Sequence, residues 1–208
     1  MGRWFLRRIS FVLSWLLLLG SPGVVRGQNV VVTTNGIDWL DFGTVNAELS
    51  VAVSKNLAVS VGGKYNPWHF GSGESRLIDK SRMLYAAARW YTWFVFDGFY
   101  WQGHAGWLEY ASGGIFGKET EEGDALGLGG GFGWSRMISS RVNLELGFGF
   151  WAGRKKYTEY KCPTCGRQVE HGTKFFIQPM NIVVGVSWVI GGSRKNRPAR
   201  RRNVQYND

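Results

Sequence analysis

After its first 27 residues the chain has no stretch with a helical period and no apolar run long enough to cross a membrane as a helix. That argues against a helical bundle and against a helical membrane protein. Only two cysteines are present, Cys162 and Cys165, and neither lies near the N-terminus, which argues against a lipid-anchored lipoprotein. Phosphate-binding motifs are missing too. The glycine run Gly127–Gly133 has Phe132 where GxGxxG spacing needs glycine, and no Lys-Ser/Thr pair follows, so it reads as packing rather than as a phosphate loop. Nor is there a basic body, although the formal net charge is +10. Of 25 Lys and Arg, four lie in the first 27 residues and six after Gly192; of 15 Asp and Glu, one lies in that tail. What remains is near neutral, with 15 basic against 14 acidic residues, and gives no reason to expect nucleic acid as a partner.

The opening segment is itself informative. Arg3, Arg7 and Arg8 precede the short apolar run Ile9–Leu19, Pro22 breaks it, and Val25-Arg26-Gly27 precedes a plausible cut. This is the pattern of a secretory signal peptide over residues 1–27, too short for a spanning helix. Residues 28–192 form one domain's worth of chain, and 193–208 form a basic, disordered tail expected in the periplasm. The tail's charge suits it to contact with the cell wall or with anionic headgroups, and a solvated segment is the plainer reading.

Glycine and aromatics, by contrast, are abundant, with 30 Gly and 11 Trp. Asp124–Trp151 reads as two long strands around a turn at Met137–Ser140. In the second, Val142, Leu144, Leu146, Phe148 and Phe150 point one way, and Asn143, Glu145, Gly147, Gly149 and Trp151 the other. In the first, Leu126, Leu128, Phe132 and Trp134 oppose a face of Gly127, Gly129, Gly131 and Gly133. A glycine face leaves room for bulky neighbours across a narrow closed sheet. Similar alternation marks strands at about Val30–Asp38, Phe42–Ser54, Leu57–Pro67, Arg82–Trp93, Gly98–Tyr110 and Thr173–Ile190, with Pro179 marking a bulge in the last.

The links between these strands alternate between short and long. Ser54–Asn56, Phe94–Asp97 and Met137–Ser140 are short. Trp68–Ser81, Ala111–Gly123 and Gly153–Gly172 are long and polar, and only Trp39–Asp41 breaks the pattern. Short turns at one end and long loops at the other are how outer-membrane barrels are built. The expected fold is therefore all-β, an eight-stranded antiparallel up-and-down transmembrane barrel with short periplasmic turns and long extracellular loops. The expected location is the bacterial outer membrane, with its lipid as the surrounding partner.

The inward faces carry Glu48, Lys64, Arg89, His104 and Glu145. Small barrels are filled by side chains, and unpaired buried charge is costly, so Glu48 and Glu145 are expected to pair with Lys64 and Arg89. Lys161–Gly166, KCPTCG, offers a disulfide, a metal contact or a redox pair. His171 adds only a third ligand, and the helix start of a redox motif is missing. A disulfide between Cys162 and Cys165 in an extracellular loop leads. His69, Ser72 and Glu74 in one loop, and Glu170 with His171 in another, are the only candidates for rim chemistry, and no spacing joins them. The expected role is non-enzymatic, without cofactor or metal, in structure or surface interaction. A rim enzyme acting on lipid or peptide and a soluble barrel binding an apolar ligand are the alternatives. The oligomeric state is not readable.

Five segments carry a family resemblance: TTNGIDW (Thr33–Trp39), KYNPW (Lys64–Trp68), ARWY (Ala88–Tyr91), NLELGFGF (Asn143–Phe150) and KCPTCG. In this order the chain resembles domain of unknown function 3575, a family of small outer-membrane barrels from Bacteroides-type bacteria. The resemblance implies a signal-bearing, eight-stranded barrel without established activity or cofactor, and no catalytic residues carry over. The basic C-terminal extension is unusual for that family and leaves a partner-binding role open.

Overall fold

A computed structural model describes residues 30–71, 76–114, 119–161 and 168–190. The expected signal segment, Ser72, Glu74, Cys162, Cys165 and the basic tail lie outside the described residues. The chain runs β1 (Val30–Asn35), α1 (Gly36–Leu40), β2 (Val45–Ala52), β3 (Leu57–Asn66), β4 (His69–Phe70), β5 (Leu77–Tyr91), β6 (Gly98–Gly113), β7 (Thr120–Met137), β8 (Val142–Tyr160) and β9 (Gln168–Ile190). Every pairing is antiparallel. Eight strands follow one another around the sheet, β3–β5 and β1–β9 pairings join its ends into a ring, and the two-residue β4 rides on β5.

Side-chain direction follows the two-residue period of a strand. On β2, Val45, Leu49 and Val51 face solvent while Asn46, Glu48 and Ser50 are buried. On β5, Leu84 and Trp90 face out, while Met83, Arg89 and Tyr91 face in. On β7 the glycines take the inner face, where their neighbours need the space. A Cβ on Gly133 would lie 2.4 Å from the Tyr100 ring, and one on Gly129 would lie 2.4 Å from His104 Nε2 and 2.1 Å from the Phe150 carbonyl oxygen. Beside Pro179 the β8–β9 register slips, pairing Gly149 with Asn181 but Phe150 with Pro179. Met180 is the extra residue of that bulge.

Two local expectations are corrected. The first strand stops at Asn35 rather than Asp38, because Asn35 caps α1 by accepting from Ile37 N–H at 3.2 Å. The same side chain also prolongs the sheet, donating to the Ile182 carbonyl at 2.9 Å and accepting from Val184 N–H at 3.0 Å. With the helix included, the first link spans 36–44 and joins the long links, so the apparent break in parity disappears. The second correction concerns length. Much of the polar sequence expected as loop is strand, and β5 to β9 grow to 15, 16, 18, 19 and 23 residues against 6, 8 and 10 for β1 to β3. One side of the wall stands taller than the other.

The interior is layered. At the short-turn end Val31, Ala58, Tyr91, Phe96, Tyr100 and Val189 form an apolar cluster. Phe96 belongs to the β5–β6 turn, at φ 66°, and its carbonyl accepts from Ser135 Oγ at 3.1 Å and Asn143 Nδ2 at 2.9 Å. Towards the other end Met83, Ala125, Trp151 and Met180 form a second cluster, backed by Tyr85, Leu108 and Phe176. Glu48, Arg89 and Glu145 lie between the two.

Gly129→Val should destabilise the protein by about 1–3 kcal/mol through overpacking. Gly103→Val, whose Cβ meets nothing within 4 Å, should stay within about 0.5 kcal/mol. Urea unfolding of both variants checks this, and equal midpoints would contradict the packing argument.

Candidate functional site

Three of the four expected interior charges meet. Arg89 Nη1 lies 2.7 Å from Glu48 Oε1 and 3.2 Å from Glu145 Oε1, and its Nη2 donates to Glu48 Oε2 at 3.1 Å. All three residues are 5% exposed or less. The strands explain the meeting: β2, β5 and β8 each turn one charged residue inward at a similar height. A single cation facing two carboxylates leaves lone pairs to satisfy, and neutral donors supply the remainder. Tyr100 OH donates to Glu145 Oε1 at 2.8 Å, Ser187 Oγ to Glu145 Oε2 at 2.9 Å, and Ser50 Oγ to Glu48 Oε1 at 3.0 Å. Arg89 Nε donates to Gln102 Oε1 at 3.0 Å, and the guanidinium lies 5.2 Å from the Tyr100 ring centre.

Lys64 does not join this group. Its Nζ sits 2.7 Å from Asp38 Oδ1, with both side chains about 15% exposed, at 15% and 14%. Register accounts for the separation, since Glu48 pairs with Gly62 while Lys64 lies two residues further along β3. Helix α1 then brings Asp38 over it. Sequence reasoning placed Asp38 on a strand and so missed it. The Asn35-Gly36 dipeptide, a strong turn signal, was the clue available. Tyr100, Gln102, Ser50 and Ser187 were legible as inward residues but not as partners of these charges.

A second polar group lines the inner face of the tall wall, beyond the upper apolar cluster. Lys155 Nζ lies 2.6 Å from Glu121 Oε1, to which Tyr110 OH also donates. Tyr157 OH donates to Glu170, and Lys174 Nζ stands 3.9 Å over the Tyr157 ring. Partial burial pushes the Glu121 carboxyl up, but the hydrogen bonds from Lys155 and Tyr110 and the Lys155 charge outweigh it and hold the group below its ordinary 4.5. Tyr110 and Lys174 were expected in strands, but Glu121, Lys155, Tyr157 and Glu170 in loops. Instead they are cross-strand pairs that extend the sheet.

Of the rim candidates, the two described histidines are not brought together. His69 is exposed on β4 and His171 is exposed on β9, with β5 to β8 between them in sheet order. Glu170 is occupied by Tyr157. Among the described residues no three His, Cys, Asp or Glu side chains are placed to hold a metal ion.

The family profile of proteins of unknown function (DUF3575) matches residues 12–190, most of the chain. The chain belongs to this family. No curated protein and no solved structure matches it. The DUF3575 match runs through all nine strands and includes the three interior charges, so the layered ring described above is this chain's version of the family domain.

Arg89→Met should cost about 3–5 kcal/mol, because two carboxylates are left buried without their cation. The triple change Glu48→Leu, Arg89→Met, Glu145→Leu should recover most of that loss. An Arg89→Met protein as stable as the native one in denaturant titration would refute this account. The Glu121–Lys155 pair contributes stability above the ordinary glutamate value of 4.5, and that contribution is lost as pH falls through the lower folded value. Glu121→Gln should therefore flatten the acid limb of a stability-against-pH curve, and an acid limb as steep as the native one would contradict this assignment.

Proposed function

We propose that the chain is an outer-membrane β-barrel that serves structure or surface interaction and catalyses no reaction. The observation that carries this reading is the inverted placement of polarity. Glu48, Arg89, Glu145, Asn143, Ser50 and Ser187 are buried, whereas Leu84, Leu126, Leu128, Phe175 and Trp188 are 57–70% exposed. A water-soluble monomer rarely shows so continuous an apolar surface, whereas a spanning barrel needs one. Aromatic residues rim both margins of that band. Trp90, Trp101, Trp134 and Trp188 lie towards the short turns, and Trp39, Tyr65, Trp68 and Trp107 towards the long links. Such belts are where Trp and Tyr gather at membrane interfaces. Short turns then face the periplasm and long links the exterior.

The layered interior supports a structural rather than a transporting role. The apolar cluster at the short-turn end stands between the charge layer and the short turns, whereas on the β1–β3 side the layer continues into Asn46, Lys64 and Asp38. The same charges disfavour a soluble barrel that stores an apolar ligand.

Unboiled protein from the outer-membrane fraction should migrate differently in SDS from boiled protein, because a closed membrane barrel keeps its fold in SDS until heated. A single mobility together with recovery in the soluble periplasmic fraction would end the membrane reading. In planar bilayers the reconstituted protein should give no stepwise conductance; steady porin-like steps would show that the short-turn cluster does not seal the ring.

A further inference from the structure

On the outer face of the tall wall, polarity changes within one step of register. Leu84, Trp107 and Leu126 form one outward row across β5, β6 and β7, which Arg154 ends on β8. The next row towards the long links is Arg82, Glu109, Asp124 and Lys156, and the one after is Lys80, Ala111 and Glu122. Between these side chains lies a groove of about 580 Å³ lined by Tyr65, Lys80, Arg82, Glu109, Glu122 and Asp124. Among its lining residues both cations stand on β5 and the carboxylates on β6 and β7, with Lys156 of β8 in register with Asp124 outside the lining. Arg82 is held in place, its Nε donating to Glu109 Oε2 at 2.6 Å and its guanidinium 5.8 Å from the Trp107 ring centre. That leaves further guanidinium N–H groups for another acceptor.

We propose that this groove binds the headgroup of a phospholipid that carries both a phosphate and a primary ammonium group. The phosphate lies against Lys80 and Arg82, and the ammonium donates to Glu122 and Asp124. The acyl chains run down the apolar row at Leu84, Trp107 and Leu126. The inference rests on the membrane-spanning reading, because only a surrounding bilayer places lipid tails on that row. Charge complementarity selects the class. A headgroup bearing phosphate alone would meet the carboxylates unfavourably, and a quaternary ammonium has no N–H to donate to them. The carboxylates are spread along the groove on two strands rather than converging on one point, which suits an extended zwitterion.

Native mass spectrometry of the full chain, released from mixed micelles holding equal phosphatidylethanolamine, phosphatidylglycerol and phosphatidylcholine, tests this. Phosphatidylethanolamine should be retained about tenfold over either competitor, the factor one charge-assisted hydrogen bond supplies. The double variant Glu122→Gln, Asp124→Asn should lose that preference while its unboiled band in SDS is unchanged, which shows that the fold is intact. Lys80→Gln with Arg82→Gln should weaken retention of all three lipids. Equal retention by the native protein, preference for phosphatidylglycerol, or an unaltered preference in the Glu122→Gln, Asp124→Asn variant would overturn the headgroup site and leave the membrane reading standing. A protein that does not enter membranes at all would overturn both.

Discussion

Closing eight strands into a narrow ring sends every second side chain into a space with little water, and the structure depends on how Glu48, Arg89 and Glu145 share charge there. The attraction between ions at about 3 Å is large in such a medium, but so is the cost of removing them from water. One guanidinium serves two carboxylates, so the deficit is met by neutral groups. Tyr100, Ser187 and Ser50 offer O–H donors, and Gln102 accepts from Arg89 Nε. Because these residues come from β2, β5, β6, β8 and β9, satisfying the charges and holding the ring round are one requirement.

Packing around that layer follows a division between small and large residues. β7 gives glycine to the interior, while β6 and β8 give Tyr100, His104 and Trp151. Tyr100 belongs to two layers, its ring among apolar residues at the short-turn end and its hydroxyl on Glu145. Replacing it by phenylalanine would keep the packing and remove the donor, which separates the two roles.

What was legible in the sequence, and what was not, divides along physical lines. Inward and outward faces were legible because strand alternation is a property of the backbone and does not depend on partners; Val142 to Trp151 shows it residue by residue. Strand ends were harder to read. Glu121, Lys155, Tyr157 and Glu170 look like loop residues one at a time, and only the lengthening of β7, β8 and β9 brings their side chains into contact. Lys64 was placed correctly on its face but assigned the wrong acid, because Asn35 ends β1 early and α1 carries Asp38 across. A contact made by a turn cannot be read from periodicity.

The seam where the ring shuts has its own consequence. β9 is 23 residues long, yet β1 pairs with it only over Gly185–Ile190, and the Thr33–Ser187 hydroxyl contact there joins residues 154 apart in sequence. Every other neighbour in the ring is joined to the next by a hairpin or a modest link, so those pairings form at small entropic cost, whereas the seam needs the two ends of the domain to meet. The β1–β9 seam is thus the pairing whose closure costs the most chain entropy, and the short Gly185–Ile190 contact is the clasp of the ring.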